Sequence, residues 1–221
     1  MKPIILIAPP QAGKGTLAKV LVNQYNLPHI STGDLLREEI ATDSLLGKEL
    51  KEIMKNGYLI EDNIVTNLLK ERLLKEDCNN GFILDGYPRN LDQAKTYVSL
   101  IKELKKELGT VISLDISLET AIKRVMGRVV CKNCGATFNI LLSGAHPREE
   151  NICDLCHGPL IKRDDDNEEA LMNRFDIFHN QTKPILDYFS SITHVYHVNS
   201  ENKDNTLKEV KLILEKEENY D

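Results

Sequence analysis

The sequence predicts an α/β fold, a parallel sheet flanked by helices on both faces. Three observations carry this. Short apolar runs, Ile4-Ile5-Leu6-Ile7, Gly81-Phe82-Ile83-Leu84, Val111 to Ile116 and His194 to Val198, read as buried strands. Longer stretches with helical spacing lie between them, so strand and helix alternate. The first run breaks at Ala8-Pro9-Pro10, where proline ends ladder pairing, and passes through Gly13-Lys14-Gly15-Thr16 into a helix with Leu17, Val20, Leu21 and Tyr25 on one face.

The remaining elements follow from their boundaries. Pro28-His29-Ile30 is a short strand, and Ser31-Thr32 caps a helix through Leu35, Leu36 and Ile40, with Asp34 in its first turn. Ser44 caps a helix from Leu45 to Lys55, ended by Asn56-Gly57, and a third runs from about Asp62 to Lys75. After the strand at 81–84, Asp85-Gly86-Tyr87-Pro88-Arg89 forces a turn, and a long helix reaches Leu108-Gly109. Helices are expected from Leu118 to about Gly127, from about Glu168 to Phe189 after Asp164-Asp165-Asp166, and from about Asn205 to Lys216. Between Arg128 and Lys162 the rhythm stops. That stretch has no helical period, is rich in glycine and proline, and holds four of the five cysteines. An insertion of this length in a compact domain reads as a lid or a small subdomain.

Composition narrows the class. At 221 residues and 41% hydrophobic content, the chain can bury a full core in one domain. Its net charge of −6, from 28 basic and 34 acidic residues, argues against nucleic acid or an anionic membrane as the main partner. No apolar run approaches the ~20 residues of a membrane span. The N-terminus enters a strand directly, so a cytoplasmic, reducing location is expected, where cysteines bind metal more often than they form disulfides.

Four constellations carry chemistry. The strand–loop–helix with Lys14 is a phosphate-binding arrangement: inward N–H groups, a helix N-terminus and a full positive charge. An ordinary strand-to-helix turn is the plainer alternative. Asp85 ends a buried strand, where ligands bind in open α/β sheets, and its carboxylate suits the water shell of magnesium; a turn or cap role is the alternative. Arg124 and Arg128 share a helical face at the entrance to the insertion, Arg163 stands at its exit, and Arg174 lies about three turns beyond. Each alone is a solvated surface charge; together they read as a phosphate site. Cys131-Lys-Asn-Cys134 and Cys153-Asp-Leu-Cys156, 18 residues apart, have structural zinc spacing, with Gly135 suiting a tight knuckle. A redox pair or buried thiols are the alternatives. Cys78 reads as inert and His157 as a surface residue.

These residues together resemble the adenylate kinase family, of the long-lid, zinc-bearing bacterial kind. The anchors span the chain: Pro10 with Gly13-Lys14-Gly15-Thr16; Ser31-Thr32-Gly33-Asp34-Leu35-Leu36-Arg37; Leu84-Asp85-Gly86-Tyr87-Pro88-Arg89 with Gln93; Arg124 to Arg128; Arg163-Asp164-Asp165-Asp166 with Arg174; and Gln181-Thr182-Lys183-Pro184. The resemblance implies a P-loop nucleoside monophosphate kinase-like fold that transfers a phosphoryl group reversibly from ATP to AMP, giving two ADP, with magnesium and a structural zinc. It implies a core of residues 1–30, 61–127 and 166–221, an AMP-binding segment at 31–60 and a zinc-bearing lid at 128–165. It assigns ATP to Gln11, Ala12, Gly13, Lys14, Gly15, Thr16, Arg124 and Arg128. It assigns AMP to Thr32, Arg37, Leu59, Ile60, Gly86, Arg89, Gln93, Arg163 and Arg174, with Gln93 reading adenine. Lys14, Arg89, Arg124, Arg128, Arg163 and Arg174 would hold the transferring phosphates and Asp85 the magnesium. Cys131, Cys134, Cys153 and Cys156 would hold the zinc. A monomer is the expected state.

The chain departs from the family loop, Gly-x-Pro-Gly-x-Gly-Lys-Gly-Thr, with Ala8 and Gln11 at the first and second glycines. If position 11 needs a positive φ, its side chain costs ~1 kcal/mol or more. Glu61 stands where the family usually has proline. Two other readings remain: a kinase for another nucleoside monophosphate, and a nucleotide-binding or zinc-ribbon module without catalysis.

Overall fold

A computed structural model describes every residue except Asp43, Gly57, Leu59, Ser143, Tyr220 and Asp221. In chain order the first half runs β1 (Ile4–Ile7), α1 (Lys14–Tyr25), β2 (His29–Ser31), α2 (Thr32–Ala41), α3 (Leu45–Lys55), α4 (Asp62–Leu73), β3 (Ile83–Asp85), α5 (Leu91–Glu103) and β4 (Thr110–Asp115). The second half runs α6 (Leu118–Gly127), β5 (Arg128–Cys131), β6 (Thr137–Asn139), β7 (Leu160–Ile161), α7 (Glu168–Ile177), α8 (Ile185–Ser190), β8 (Val195–Asn199) and α9 (Lys203–Asn219). The main sheet has the order β2-β3-β1-β4-β8, and every pairing in it is parallel.

The alternation of side chains along β1 divides the core in two. Ile5 and Ile7 face a cluster with Leu69, Tyr97 and Phe189. Ile4 and Leu6 face the other side, with Leu17, Leu21, Val210 and Leu214. Both faces of the strand are covered by helices, which is why the run is apolar throughout rather than alternating. All four residues are at most 2% exposed, each stabilising by ~1.5–3 kcal/mol relative to solvent exposure. From β1 the chain builds to one side of the sheet through β2 and β3, then crosses to β4. The switch in direction opens a crevice at the carboxyl ends of β1 and β3.

Caps match the sequence signals. Ser31 Oγ accepts from Asp34 N–H at 3.2 Å, and Ser44 Oγ accepts from Gly47 N–H at 2.9 Å. The helix end expected at Asn56-Gly57 is partly outside the described residues, since Gly57 is among those not described.

Three expected helices end early or break. The third stops at Leu73 and tightens into a short 3-10 turn at Glu76–Cys78. The long α5 ends at Glu103, where Lys106 N–H closes back on Ile101 C=O at 2.9 Å and Lys105 takes φ 53°. The helix expected to run from Glu168 to Phe189 is interrupted. It widens into a π turn at Phe178–Thr182, in which Lys183 N–H donates to Phe178 C=O at 2.7 Å. Pro184 has no N–H to resume the α ladder, so α8 starts afresh after it. The interruption lets Thr182 Oγ1 donate to Arg89 C=O at 2.7 Å, linking this turn to the crevice.

The insertion is a small three-stranded antiparallel sheet, β6-β5-β7. Its core is slight: Val129, Cys131, Ala136, Cys153 and Leu160, with Phe138 partly covered. Among the described residues no helix is long and apolar enough to cross a membrane.

Candidate active site

The crevice begins where β1 gives way to the loop. Gln11 sits at φ 66° and Gly13 at φ 88°, and these left-handed turns bring the chain round so that α1 starts at Lys14. No side chain caps that helix, so its first N–H groups remain available to an anion. Lys14 Nζ donates to Ala8 C=O at 2.9 Å, spanning the loop. Burial lowers the Lys14 pKa; Asp85 raises it, and Arg89 and Arg174 lower it further. Arg124 lies behind the loop. Its guanidinium donates to Gln11 C=O at 3.0 Å, Ser200 C=O at 2.9 Å and Glu201 C=O at 3.1 Å.

Beside the loop, β3 delivers Asp85 and the turn that follows it. His29 Nε2 lies 3.4 Å from Asp85 Oδ2 across the β2–β3 pairing. Gly86 has φ 84°, and a Cβ there would stand 2.8 Å from Thr32 Oγ1 and 3.1 Å from an Arg89 guanidinium nitrogen, so only glycine fits. Thr32 Oγ1 donates to Gly86 C=O at 2.8 Å, and Arg89 Nε donates to the same oxygen at 2.7 Å. Burial, together with the charge of Arg174, pulls the Arg89 guanidinium down to about 10. It stays charged at neutral pH, but in an environment that lacks enough negative charge.

The other arginines reach the crevice from the insertion and its flanks. Arg128 grips Asp166 with two donors, Nε to Oδ2 at 2.7 Å and the second through its terminal nitrogen. This ion pair straddles the neck of the insertion. Arg174 donates to Asp165 Oδ2 at 2.7 Å, and Arg37 to Asp34 Oδ1 at 2.5 and 3.2 Å. The Arg163 guanidinium is lowered by burial first, then by the charges of Arg37 and Arg128. Like charges from three separate stretches of chain therefore converge.

One cavity is lined by Gln11, Lys14, Thr32, Arg37, Ile60, Asp85, Gly86, Arg89, Gln93, Arg128, Arg163 and Arg174. Ala12, Gly13, Gly15, Thr16 and Arg124 do not line it, and Leu59 lies outside the described residues. Six of the lining side chains are cationic, against the carboxylates of Asp85 and Asp165. An arrangement so unbalanced, in a chain of net charge −6, is suited to a ligand with several negative charges. Met54, Tyr58, Val65 and Phe178 add apolar wall. Sequence reasoning missed these, although the helical spacing of Leu50 and Met54 was a signal for an inward face. It also missed Asp62 and Asn90. Asn90 Nδ2 donates to both Asp62 oxygens at 3.1 Å, Asp62 accepts from Gln93 Nε2 at 2.6 Å, and Gln93 Oε1 accepts from Arg89 N–H at 2.7 Å.

A second centre lies in the insertion. The sulfurs of Cys131, Cys134, Cys153 and Cys156 all fall within 4.8 Å of one another, with Cys131–Cys156 at 3.4 Å and Cys134–Cys153 at 3.6 Å. Four ligands at zinc's usual ~2.3 Å would be spaced by about 3.8 Å, close to these separations. Gly135 closes the first knuckle at φ 67°, its N–H donating to Cys131 C=O at 3.0 Å. His157, exposed as expected, closes the second at φ 56°, its N–H donating to Cys153 C=O at 2.9 Å. Backbone N–H groups of Cys134 and Asn133 draw the Cys131 thiol down to about 6. The Gly158 amide favours ionisation of Cys156, but the neighbouring sulfurs push it up to about 12. Four thiols this close cannot all ionise without a cation to join them, so the donor set fits a zinc ion.

The comparisons with known proteins agree with this geometry. A family profile described as Adenylate kinase matches residues 6–194. The chain is 42% identical over 214 residues to an adenylate kinase of Archaeoglobus fulgidus, covering 96% of this chain and 98% of that protein. It is 41% identical over 208 residues to one of Acetivibrio thermocellus, covering 94% and 95%. A third, from Thermosipho africanus, is 40% identical over 212 residues, covering 96% and 98%.

Proposed function

Because the chain belongs to the adenylate kinase family, whose reaction is phosphoryl transfer from ATP to AMP to give two ADP, we propose that the basic crevice is where its two nucleotides meet. The observation that carries this is the convergence of Lys14, Arg37, Arg89, Arg128, Arg163 and Arg174 on one cavity that, among the described residues, is lined by only two carboxylates.

In this reading the loop from Gln11 to Thr16 and the N-terminus of α1 receive the ATP phosphates, with Lys14 as their point charge. Arg124 supports the loop through Gln11 C=O. Thr32, Arg37, Ile60, Gly86, Arg89 and Gln93 receive AMP. Arg89, Arg128, Arg163 and Arg174 gather around the transferring group. Bound magnesium would supply positive charge to offset that of the transferring phosphates. Asp85 fits its water shell: a carboxylate at a strand end, beside Lys14 and facing the cavity. The acceptor is a phosphate oxygen, already ionised at neutral pH, so no general base is required. The work of the side chains is to align two anions and offset their repulsion. Segments 31–60 and 128–165 cover the crevice and keep water from the phosphoryl group. The four cysteines hold a structural zinc that staples the lid.

The test is a coupled assay with magnesium-ATP and AMP, CMP, GMP or UMP in turn, with metal content measured on the same sample. AMP is expected to lead in kcat/KM, with one zinc per chain. A tenfold preference for CMP or GMP would overturn the acceptor assignment, and protein purified without chelator that carries no zinc would overturn the zinc assignment.

A further inference from the structure

Gln93 is 2% exposed, yet it lines the nucleotide cavity. An amide in such a place can face two ways, and the two present opposite hydrogen-bond patterns. Here both ends are committed. Oε1 accepts from the Arg89 backbone N–H at 2.7 Å, and Nε2 donates to Asp62 Oδ1 at 2.6 Å. Asp62 comes from the first turn of α4, and a second helix fixes it in turn. Asn90 Nδ2 donates to both of its oxygens, while Asn90 Oδ1 caps α5 by accepting from Gln93 N–H at 2.8 Å. Asp62, Asn90 and Gln93 form a closed ring between the starts of two helices, and the Arg89 N–H joins it at Gln93 Oε1.

Turning the amide over would set two donors against each other at Arg89 and two acceptors against each other at Asp62. The carboxylate is the stronger constraint: a carboxylate can only accept, and its hydrogen bonds are charge-assisted. Each end of the amide still has one capacity left, a lone pair on Oε1 and a hydrogen on Nε2. A purine edge opposite that pair must offer a donor at its 6-position and an acceptor at N1. Adenine does. A 6-oxopurine offers the reverse, an acceptor at position 6 and an N1–H donor, and would need the amide turned over.

We propose that Asp62 is a specificity-determining residue that locks the Gln93 amide against this flip and so excludes 6-oxopurine monophosphates. The inference rests on the reading that Gln93 faces the acceptor base. Asp62 touches no nucleotide in this scheme; it is a positioning residue.

The probe is inosine 5′-monophosphate, which carries the 6-oxo edge without guanine's additional amino group. Steady-state kinetics with AMP and with this probe would be measured for the wild type, Asp62→Ala, Asp62→Asn and Gln93→Leu, with melting temperatures alongside. In Asp62→Ala the ratio of kcat/KM for AMP to that for the probe is expected to fall at least tenfold. The loss with AMP should appear mainly in KM, because the base contact is made in ground and transition states alike. Asp62→Asn tests the same point with the shape kept: an asparagine amide can serve either orientation of Gln93, so the ratio should fall here too. A merely structural role would lower both substrates together and leave the ratio unchanged, which overturns the proposal. If Gln93→Leu collapses the ratio while both Asp62 variants keep it, Gln93 reads the base and the lock is wrong. If Gln93→Leu also keeps it, the reading of Gln93 fails and the inference falls with it.

Discussion

Gln11 stands where the family loop has glycine, and its φ of 66° is the conformation that glycine would take without strain. A side chain there costs on the order of 1 kcal/mol, but glycine would also add freedom to the unfolded chain, so the two effects on stability nearly cancel. Gln11→Gly is therefore expected to leave the melting temperature within a few degrees and kcat undiminished. A large fall in kcat would mean that the Gln11 side chain, which lines the crevice, has acquired a part in binding. Arg89 is different, because its guanidinium is held at the bottom of the site by Gly86 C=O and its backbone carbonyl by Thr182 Oγ1. Arg89→Ala should lower kcat/KM by about 10²-fold or more, with little change in melting temperature. Kinetics like those of the wild type would reduce Arg89 to a structural cation. At this scale the sequence was readable where a residue's placement is local: the loop lysine, the strand-end aspartate, the cysteine spacing. It was not readable where the role depends on pairing through space. Nothing near Asp62 says that it meets Asn90 and Gln93, 28 and 31 residues further on. Arg124 read as a phosphate ligand, and nothing in the sequence says that it also donates to carbonyls at positions 11, 200 and 201, which only the fold brings together.

The insertion is the element in which local and global stability separate most clearly. Its sheet has strands of four, three and two residues, and its apolar cluster is half a dozen side chains, too little for independent stability. A zinc ion on the four cysteines, as proposed above, would make up the difference. Zinc binding contributes ~10–16 kcal/mol of apparent free energy in small finger peptides, enough to fix a segment of this size. A filled tetrahedral shell would leave no position for water or substrate, so on this proposal the ion takes no part in the chemical step. Removing it, or changing Cys131 and Cys134 to Ser, should lower the melting temperature by more than it lowers activity at moderate temperature. Calorimetry and the coupled assay on the same samples would check this. An unchanged melting temperature, or a loss of kcat with the fold intact, would sink the structural role. The spacing of the cysteines pointed to their clustering, because such knuckles are local. The strands around them were hidden, since two- and three-residue strands carry no periodicity to read. The break between α7 and α8 was hidden in a different way. Pro184 marked the spot, but the apolar spacing continues across it, and the periodicity outvoted the proline.

For the molecule as a whole, the opposed charges set the balance between an open and a closed crevice. The chain carries a net −6, yet the crevice gathers six cationic side chains against two carboxylates. Arg163 from the insertion feels Arg37 of segment 31–60, a repulsion between the two covering segments that Asp34 beside Arg37 offsets in part. The direct polar ties that oppose it are slight. Lys19 Nζ donates to Gly135 C=O at 3.0 Å, joining α1 to the insertion, and Asn173 Nδ2 donates to Asn56 C=O at 3.1 Å, joining α7 to the end of α3. Both are exposed, and such contacts contribute little on their own. Closure should therefore depend on an anion that satisfies the arginines. A ligand of two adenosines joined through a five-phosphate chain supplies both bases and the charge. At a hundred times its Kd it should stabilise the protein by ~2.7 kcal/mol, which for a chain of this length raises the melting temperature by roughly 5–10 °C. The radius of gyration should fall on binding, and Arg163→Ala, which removes one of the repelling charges, should weaken the ligand while making the free protein more compact. Raised salt should do the same for the free protein, since a Debye length of ~3 Å at 1 M screens the cluster from itself. If scattering gave one radius for free and bound protein in all these conditions while calorimetry showed tight binding, the crevice would be rigid, and its arginines would be held together by the fold without help from a ligand.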